Sequence, residues 1–311
     1  PVCRPDQLAK VQEATDLAGY VTEAAAKETG LAPGTPVITG TDDSGAEAIS
    51  AGVVEPGKMM IQFGSSIYMI LGTRHLVDDE RLWREQFIVP GLCDISAGTN
   101  TGGSLTKWYR DELFSDALEQ EKKTGIDAYQ LMLEGVDQVP PGSDGLITLP
   151  YFAGERTPVN DPLACGILFG LTISHTRRHL YRSALEGVAY SIQQQLRLME
   201  SHEDVSIDQI FAVGGGVNNA LGMQIVADVT GREINTPDVT VGASYGDAMM
   251  AAVGVRHPGF ENFSCLVQHI KTGTVYKPDF KKNKIYQKYQ AIYDKLYDST
   301  CELMHMMTEE Q

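Results

Sequence analysis

Residues 209–231 read QIFAVGGGVNNALGMQIVADVTG, and their order decides the fold. The apolar run Ile210 to Val213 predicts a buried strand, and Gly214, Gly215 and Gly216 end it. The apolar residues that follow predict a helix that stops at Gly231, a residue type that favours helix ends. Strand, glycine turn and helix in immediate succession is a building unit of α/β domains. The glycines leave room for backbone to approach a ligand, and the helix start offers unpaired N–H groups and a positive dipole end. The turn serves equally well as a packing device. It lacks both the G-x-G-x-x-G spacing of a dinucleotide fold and the lysine of a P-loop.

The same alternation extends outward. Upstream, Leu185, Val188, Ile192, Leu196 and Met199 recur at helical spacing and predict a long helix over 175–200. LITLPYF (146–152) reads as a buried strand entering the loop AGERTPVNDPLACG. Downstream, REINTP predicts a short strand and SYGDAMMAAVGV a helix of small residues. The charged, Tyr-rich stretch 280–308 predicts a final helix able to pack on its own domain or on a partner subunit, so a homodimer is among the assemblies the sequence allows. Nearer the start, KMMIQFGSSIYMILG (58–72) predicts two strands joined at Gly64-Ser65-Ser66, and 84–97 two more around Pro90-Gly91, together a small antiparallel sheet. LTKWYRDELF and 126–136 predict helices. Residues 5–30 predict a helix from Ala-rich periodicity, broken by PGTP (33–36). PVITG then predicts a strand, and DDSGAEAISAG a tightly packed helix. There is no internal repeat and no low-complexity tract.

Composition narrows the function. The 311 residues are 42% hydrophobic, enough for one large domain or two smaller ones. A formal net charge of -16, spread along the chain, disfavours nucleic acid and anionic membrane as partners. No uncharged apolar run of about 18 residues is present, and PVCRPDQLAK has no signal-peptide core, so the expected setting is the cytoplasm. The five cysteines, odd in number and far apart, read as reduced thiols. The histidines show no metal spacing, and no metal site is predicted. A first residue Pro1 rather than Met suggests a fragment or a processed product.

Three further features bear on chemistry. The turn Gly64-Ser65-Ser66 offers hydroxyls and backbone N–H groups of the kind that cradle phosphate oxygens, although most Gly-Ser turns are only turns. The pair Asp42-Asp43 enters a helix, where a carboxylate caps the helix or takes a proton from a hydroxyl that attacks a phosphoryl group. Gly154-Glu155-Arg156-Thr157-Pro158 places an arginine in a loop, available to a phosphate or to a surface ion pair.

GILFGLTISHTRRHLYRSALEG (166–187) resembles the C-terminal signature of the FGGY carbohydrate kinases, and AGERTPVNDP resembles the matching segment of their xylulose kinase-like members. VGGGVNNALGMQIVADVTG and GASYGDAMMAAVG are similar to that family's adenosine-binding stretch. The resemblance spans about residues 17 to 256. It implies an α/β fold of the actin-like ATPase (ribonuclease H-like) type: a C-terminal FGGY kinase domain over 53–311, and over 1–52 the tail of the N-terminal domain with a hinge and the catalytic aspartate. It further implies a small sugar as substrate, with xylulose favoured, and ATP with Mg²⁺. The register set by Gly52-Val53-Val54 puts Asp43 on the catalytic base. Gly64, Ser65, Gly103, Gly214, Gly215 and Asn219 fall on nucleotide positions, with Ser65 where the family has Thr. Cys165 departs from the pattern, standing where related sequences often have Arg, and nothing corresponds to the bulk of the N-terminal domain. A non-catalytic nucleotide or sugar sensor of the same fold is the alternative.

Overall fold

In the computed structural model, residues 2–239 and 241–308 are described. A mixed seven-stranded sheet dominates it, in the order β11-β10-β9-β3-β4-β6-β5. The strands are β3 (Lys58–Phe63), β4 (Ile67–Thr73), β5 (Trp83–Gln86), β6 (Cys93–Thr99), β9 (Gln209–Val213), β10 (Ile234–Pro237) and β11 (Thr272–Tyr276). The four strands expected to open as a small antiparallel sheet form one side of this larger one. Strand β3 pairs antiparallel with β4 and parallel with β9, about 150 residues later in the chain. Its sequence KMMIQF explains why: Met59, Ile61 and Phe63 bury one face and Met60 the other, so it occupies the centre of the sheet.

One face is covered by α3 (Gly103–Leu113), α6 (Arg177–Glu200), α7 (Ala220–Thr230) and α9 (Phe280–Thr308). The other is covered by α2 (Asp43–Ser50) and α8 (Ala243–Gly254). Helix α9 buries Tyr286, Tyr293 and Leu296 in the core of its own chain. A charged network fastens it there. Glu186, 1% exposed, accepts from Arg182 Nε at 2.9 Å, Tyr286 Oη at 3.0 Å, Gly142 N at 3.0 Å and Ser143 Oγ at 2.8 Å. A buried carboxylate with so many donors is satisfied rather than stranded.

Several sequence expectations fail locally. Residues 5–30 are not one helix: β1 (Leu17–Tyr20) pairs with β2 (Pro36–Ile38) in a separate ribbon, and beside a 3₁₀ turn at Pro5–Gln7 only α1 (Glu23–Thr29) is α-helical. Alanine favours helix, but α1 buries no residue, and a helix without an apolar stripe on a core stays short. The helix expected over 126–136 shrinks to α5 (Ala128–Met132) and its closing turns, ahead of Gly135 at φ 72°. The glycine turn leads first into a 3₁₀ turn, Gly215–Asn218, before α7 begins under an Asn219 cap. The buried strand in LITLPYF is β7 (Ile147–Leu149), which pairs with β8 (Ile167–Phe169) outside the main sheet. Strand β11 and α4 (Ser115–Thr124) had no counterpart among the elements expected from sequence.

Helices α2 and α8 touch through backbone. A Cβ placed on Gly246 would lie 1.8 Å from the Ala46 carbonyl oxygen. Only glycine permits this spacing. Gly246→Ala is therefore expected to destabilise the protein by about 1–3 kcal/mol through overpacking, read as a lower midpoint in chemical denaturation.

Candidate active site

Strands β3 and β9 run parallel and end together, Gln62 opposite Val213. Their C-terminal turns therefore meet at one edge of the sheet. After β3 comes the tip Gly64-Ser65-Ser66, and after β9 the glycines 214–216. Beyond strand carboxyl ends is where sheets of this kind bind ligands.

The two turns interlock through glycines. Gly214 adopts φ 89°, and a Cβ there would lie 2.8 Å from the Phe63 carbonyl oxygen; one on Gly216 would lie 2.7 Å from the Phe63 Cβ. Both are glycine because they pack against the end of β3. Gly215 differs: a Cβ there meets nothing within 4 Å. Its bareness leaves open, solvent-facing space beside the strand ends. Asn219 caps α7, its Oδ1 accepting from Gly222 N at 2.9 Å.

The hairpin tip is docked on the start of α3. Gly103 N donates to Gly64 O at 2.8 Å, and Gly102 N and Ser104 N each donate to Ser65 O at 3.0 Å. A Cβ on Gly103 would sit 2.6 Å from Gly64 O, so glycine is needed there for the docking itself. The first N–H groups of α3 are consequently spent on the hairpin, which they brace, and Ser65 stands exposed at its tip.

Helix α2 brings in the acids. Asp42 is the cap, accepting from Gly45 N at 2.8 Å and Ser44 Oγ at 3.2 Å. This releases its neighbour: Asp43, the first helical residue, is exposed and, among the described residues, accepts from Ser44 alone, whose N lies 2.8 Å and Oγ 3.5 Å from its Oδ1. One turn on, Glu47 is 8% exposed and accepts from Gln62 Nε2 of β3. Burial, and less so the nearby Asp43 charge, hold the Glu47 carboxyl above its ordinary range against the opposing Gln62 bond. Since i and i+4 side chains lie about 5–6 Å apart at Cβ, the Glu47–Gln62 link brings Asp43 to the same sheet edge as the hairpin and the glycine turn. Sequence reasoning missed Glu47 and Gln62; the one visible signal was an acid inside the small-residue run DSGAEAIS.

Farther along that face, Asp94 is 5% exposed and bonded to Ser96 Oγ at 2.7 Å. Burial raises it to about 6, with Glu85 and Asp42 adding to the rise. In the GERTP loop, Glu155 is buried and Arg156 exposed, and Arg156 forms no ion pair among the described residues. Among the described residues no group of three or more His, Cys, Asp or Glu could hold a metal ion, and no helix is long and apolar enough to cross a membrane. The five cysteines are unpaired.

A mixed sheet with helices on both faces, a glycine-lined strand-end edge and a carboxylate opening a helix beside it define a domain of the actin-like ATPase type. The chain belongs to the FGGY family of carbohydrate kinases, whose C-terminal domain matches residues 59–255. A ribulokinase from Geobacillus thermodenitrificans is 32% identical over 291 residues, covering 90% of this chain and 51% of that protein. A gluconokinase from Bacillus licheniformis is 28% identical, covering 93% of this chain and 56% of that protein. The solved xylulose kinase from Rhodospirillum rubrum superposes with a TM-score of 0.82 at 30% identity, covering 98% of this chain and 59% of that one. The chain thus spans little more than half the length of these proteins.

The glycines make a separable prediction. Gly215→Ala is expected to leave thermal stability nearly unchanged, because nothing occupies the space its methyl would enter. Gly214→Ala is expected to lower it, because of the positive φ and the Phe63 carbonyl. Melting curves of the two variants check both.

Proposed function

We propose that this chain is the C-terminal portion of an ATP-dependent kinase that phosphorylates a hydroxyl of a small sugar, with Asp43 as general base. The observation that carries the reading is the division of labour at the start of α2, where Asp42 caps the helix and leaves Asp43 exposed at the strand-end edge. Phosphoryl transfer asks a protein for positioning, charge stabilisation and a proton acceptor. Asp43 accepts the proton as the sugar oxygen attacks. Ser65 and the hairpin it crowns face the phosphates, the open side of Gly215 admits the nucleotide, and Asn219 and Gly214 border its adenosine end. Gly103 contributes by letting the hairpin seat on α3. Mg²⁺ fits this site as an ion carried in on the nucleotide phosphates, since it is commonly held by few protein carboxylates. When bound, it neutralises phosphate charge.

Residues 1–52 are read as the end of a preceding domain with its hinge, and 53–311 as the nucleotide-binding domain, with α2 at the junction. This chain alone is then expected to bind nucleotide weakly and turn over little. A cytoplasmic setting suits an ATP-dependent enzyme with unpaired cysteines.

Charge favours an uncharged acceptor. Asp43 acts on Glu47, and Asp42 and Glu85 act on Asp94, with no cation paired to any of the five among the described residues. An aldonate would meet like charge at this edge of the sheet, whereas a ketopentose such as xylulose is uncharged. In the full-length protein, kcat/KM for a pentulose is expected to exceed that for gluconate at least about ten-fold. The reverse order would overturn the acceptor reading and leave the kinase standing.

Asp43→Ala is expected to lower sugar-dependent ATP consumption by about 10²–10⁴-fold while nucleotide affinity persists. Unaltered turnover in that variant would remove Asp43 from the chemistry. Tight nucleotide binding with no turnover on any sugar would favour a sensor of the same fold.

A further inference from the structure

The GERTP loop plays no part in the chemistry above, yet it holds one of the most deeply buried carboxylates in the molecule. Glu155 is 2% exposed. Its Oε2 accepts from Thr99 Oγ1 at 2.6 Å and its Oε1 from Arg156 N at 2.7 Å, and the Asn100 backbone N–H also acts on it. Around it, the loop grips the same short crossing at two more points: Thr157 N donates to Gly98 O at 3.1 Å, and Asn100 Nδ2 to Ala153 O at 3.0 Å.

Residues 98–102 are the crossing from β6 to α3. Among the described residues they have no sheet partner beyond Thr99, and at their end Gly102, with Gly103 and Ser104, holds the tip of the phosphate hairpin. The loop itself is secured from behind. Glu155 and Asp161 exchange both backbone bonds, at 2.8 and 2.9 Å, and Asp161 Oδ2 is bonded by Tyr297 Oη at 2.9 Å and His305 Nε2 at 2.7 Å, both on α9. A continuous line of bonds thus runs from the last helix through Glu155 to the hairpin.

We propose that Glu155 is a positioning residue for nucleotide binding: ionised, it gathers the donors of the 99–101 crossing and so sets where α3 seats the Gly64-Ser65-Ser66 hairpin. The inference rests on the nucleotide-site reading above. A carboxylate suits the task because it accepts from several donors at once, while a protonated carboxyl gives up part of that capacity. Burial raises Glu155 to about 7, against the Thr99, Arg156 and Asn100 bonds. The charged and titratable groups facing it are Arg156 on its own loop, Tyr151 after β7 and Tyr293 on α9. Both tyrosine hydroxyls are pushed upward by burial, away from neutrality, and behind the loop Asp161 is paired with His305; of the carboxyls here, Glu155 is the one raised toward neutrality.

Function and stability then move in opposite directions with pH. The folded value lies above the unfolded one, so the protonated form stabilises the fold, and that contribution is lost as pH rises through about 7. Positioning requires the ionised form, so nucleotide affinity is lost as pH falls through the same value.

The test is Mg·ADP binding by titration calorimetry between pH 6 and 8.5, together with melting curves, on the full-length protein and its Glu155→Gln, Thr99→Val and Thr99→Ser variants. Expected are a wild-type affinity that weakens several-fold below pH 7, a Glu155→Gln affinity about ten-fold weaker at pH 8 and flat with pH, and a Glu155→Gln melting temperature at pH 8 equal to or above wild type. Thr99→Val should weaken binding and Thr99→Ser, which keeps the hydroxyl, should restore it. Affinity and pH profile unchanged in Glu155→Gln would overturn the inference and leave the nucleotide site intact. Loss of affinity matched by loss of melting temperature would show a merely structural carboxylate and overturn it as well. Failure of the wild type to bind Mg·ADP at all would overturn the nucleotide reading itself, and this inference with it.

Discussion

Everything at the working edge depends on close contact between backbones where β3 ends. The Phe63 carbonyl lies against Gly214, the Gly64 carbonyl against Gly103, and the Ala46 carbonyl against Gly246. No Cβ fits at any of the three glycines. Each contact joins segments far apart in the chain: the glycine turn to the central strand, α3 to the hairpin, and α8 to the helix that carries Asp43. Backbone contacts of this kind have no rotamers to adjust, so they fix relative position more rigidly than side-chain packing does.

Charge is arranged with comparable economy. Two neighbouring aspartates stand at the start of α2; Asp42 caps the helix, and Asp43 stays exposed in its first turn. Glu47 then ties that helix to β3 and stays desolvated beside Asp43. On the opposite face, the Glu186 network joins α6 and α9 deep in the core. The recurring device is a buried carboxylate that collects several donors from different elements. It gives directional fastening that apolar contact does not supply, at the cost of desolvating a charge.

The glycines also show how one residue type answers different constraints. At 214, 216 and 103 it is demanded by packing, whatever the ligand. At 215 packing demands nothing, and the open space remains for something outside the chain.

Local units and their chemistry were legible in the residues alone. The run QIFAVGGG announced a strand stopped by glycine, the period of Leu185 to Met199 announced a long helix, and Asp42-Asp43 announced a carboxylate at a helix start. These are properties of residues within one turn or one strand of each other, where spacing alone carries the information. Folding in three dimensions settled the matters that no spacing encodes. It joined the antiparallel strands to β9 in a single sheet, left only the short α1 as α-helix in the predicted 5–30 helix because no core supported the rest, and put Glu155 inside the protein rather than on a surface loop. The single sheet and the burial of Glu155 depend on contacts between segments roughly 50 to 150 residues apart, whose loop-closure cost is met only when the whole sheet forms.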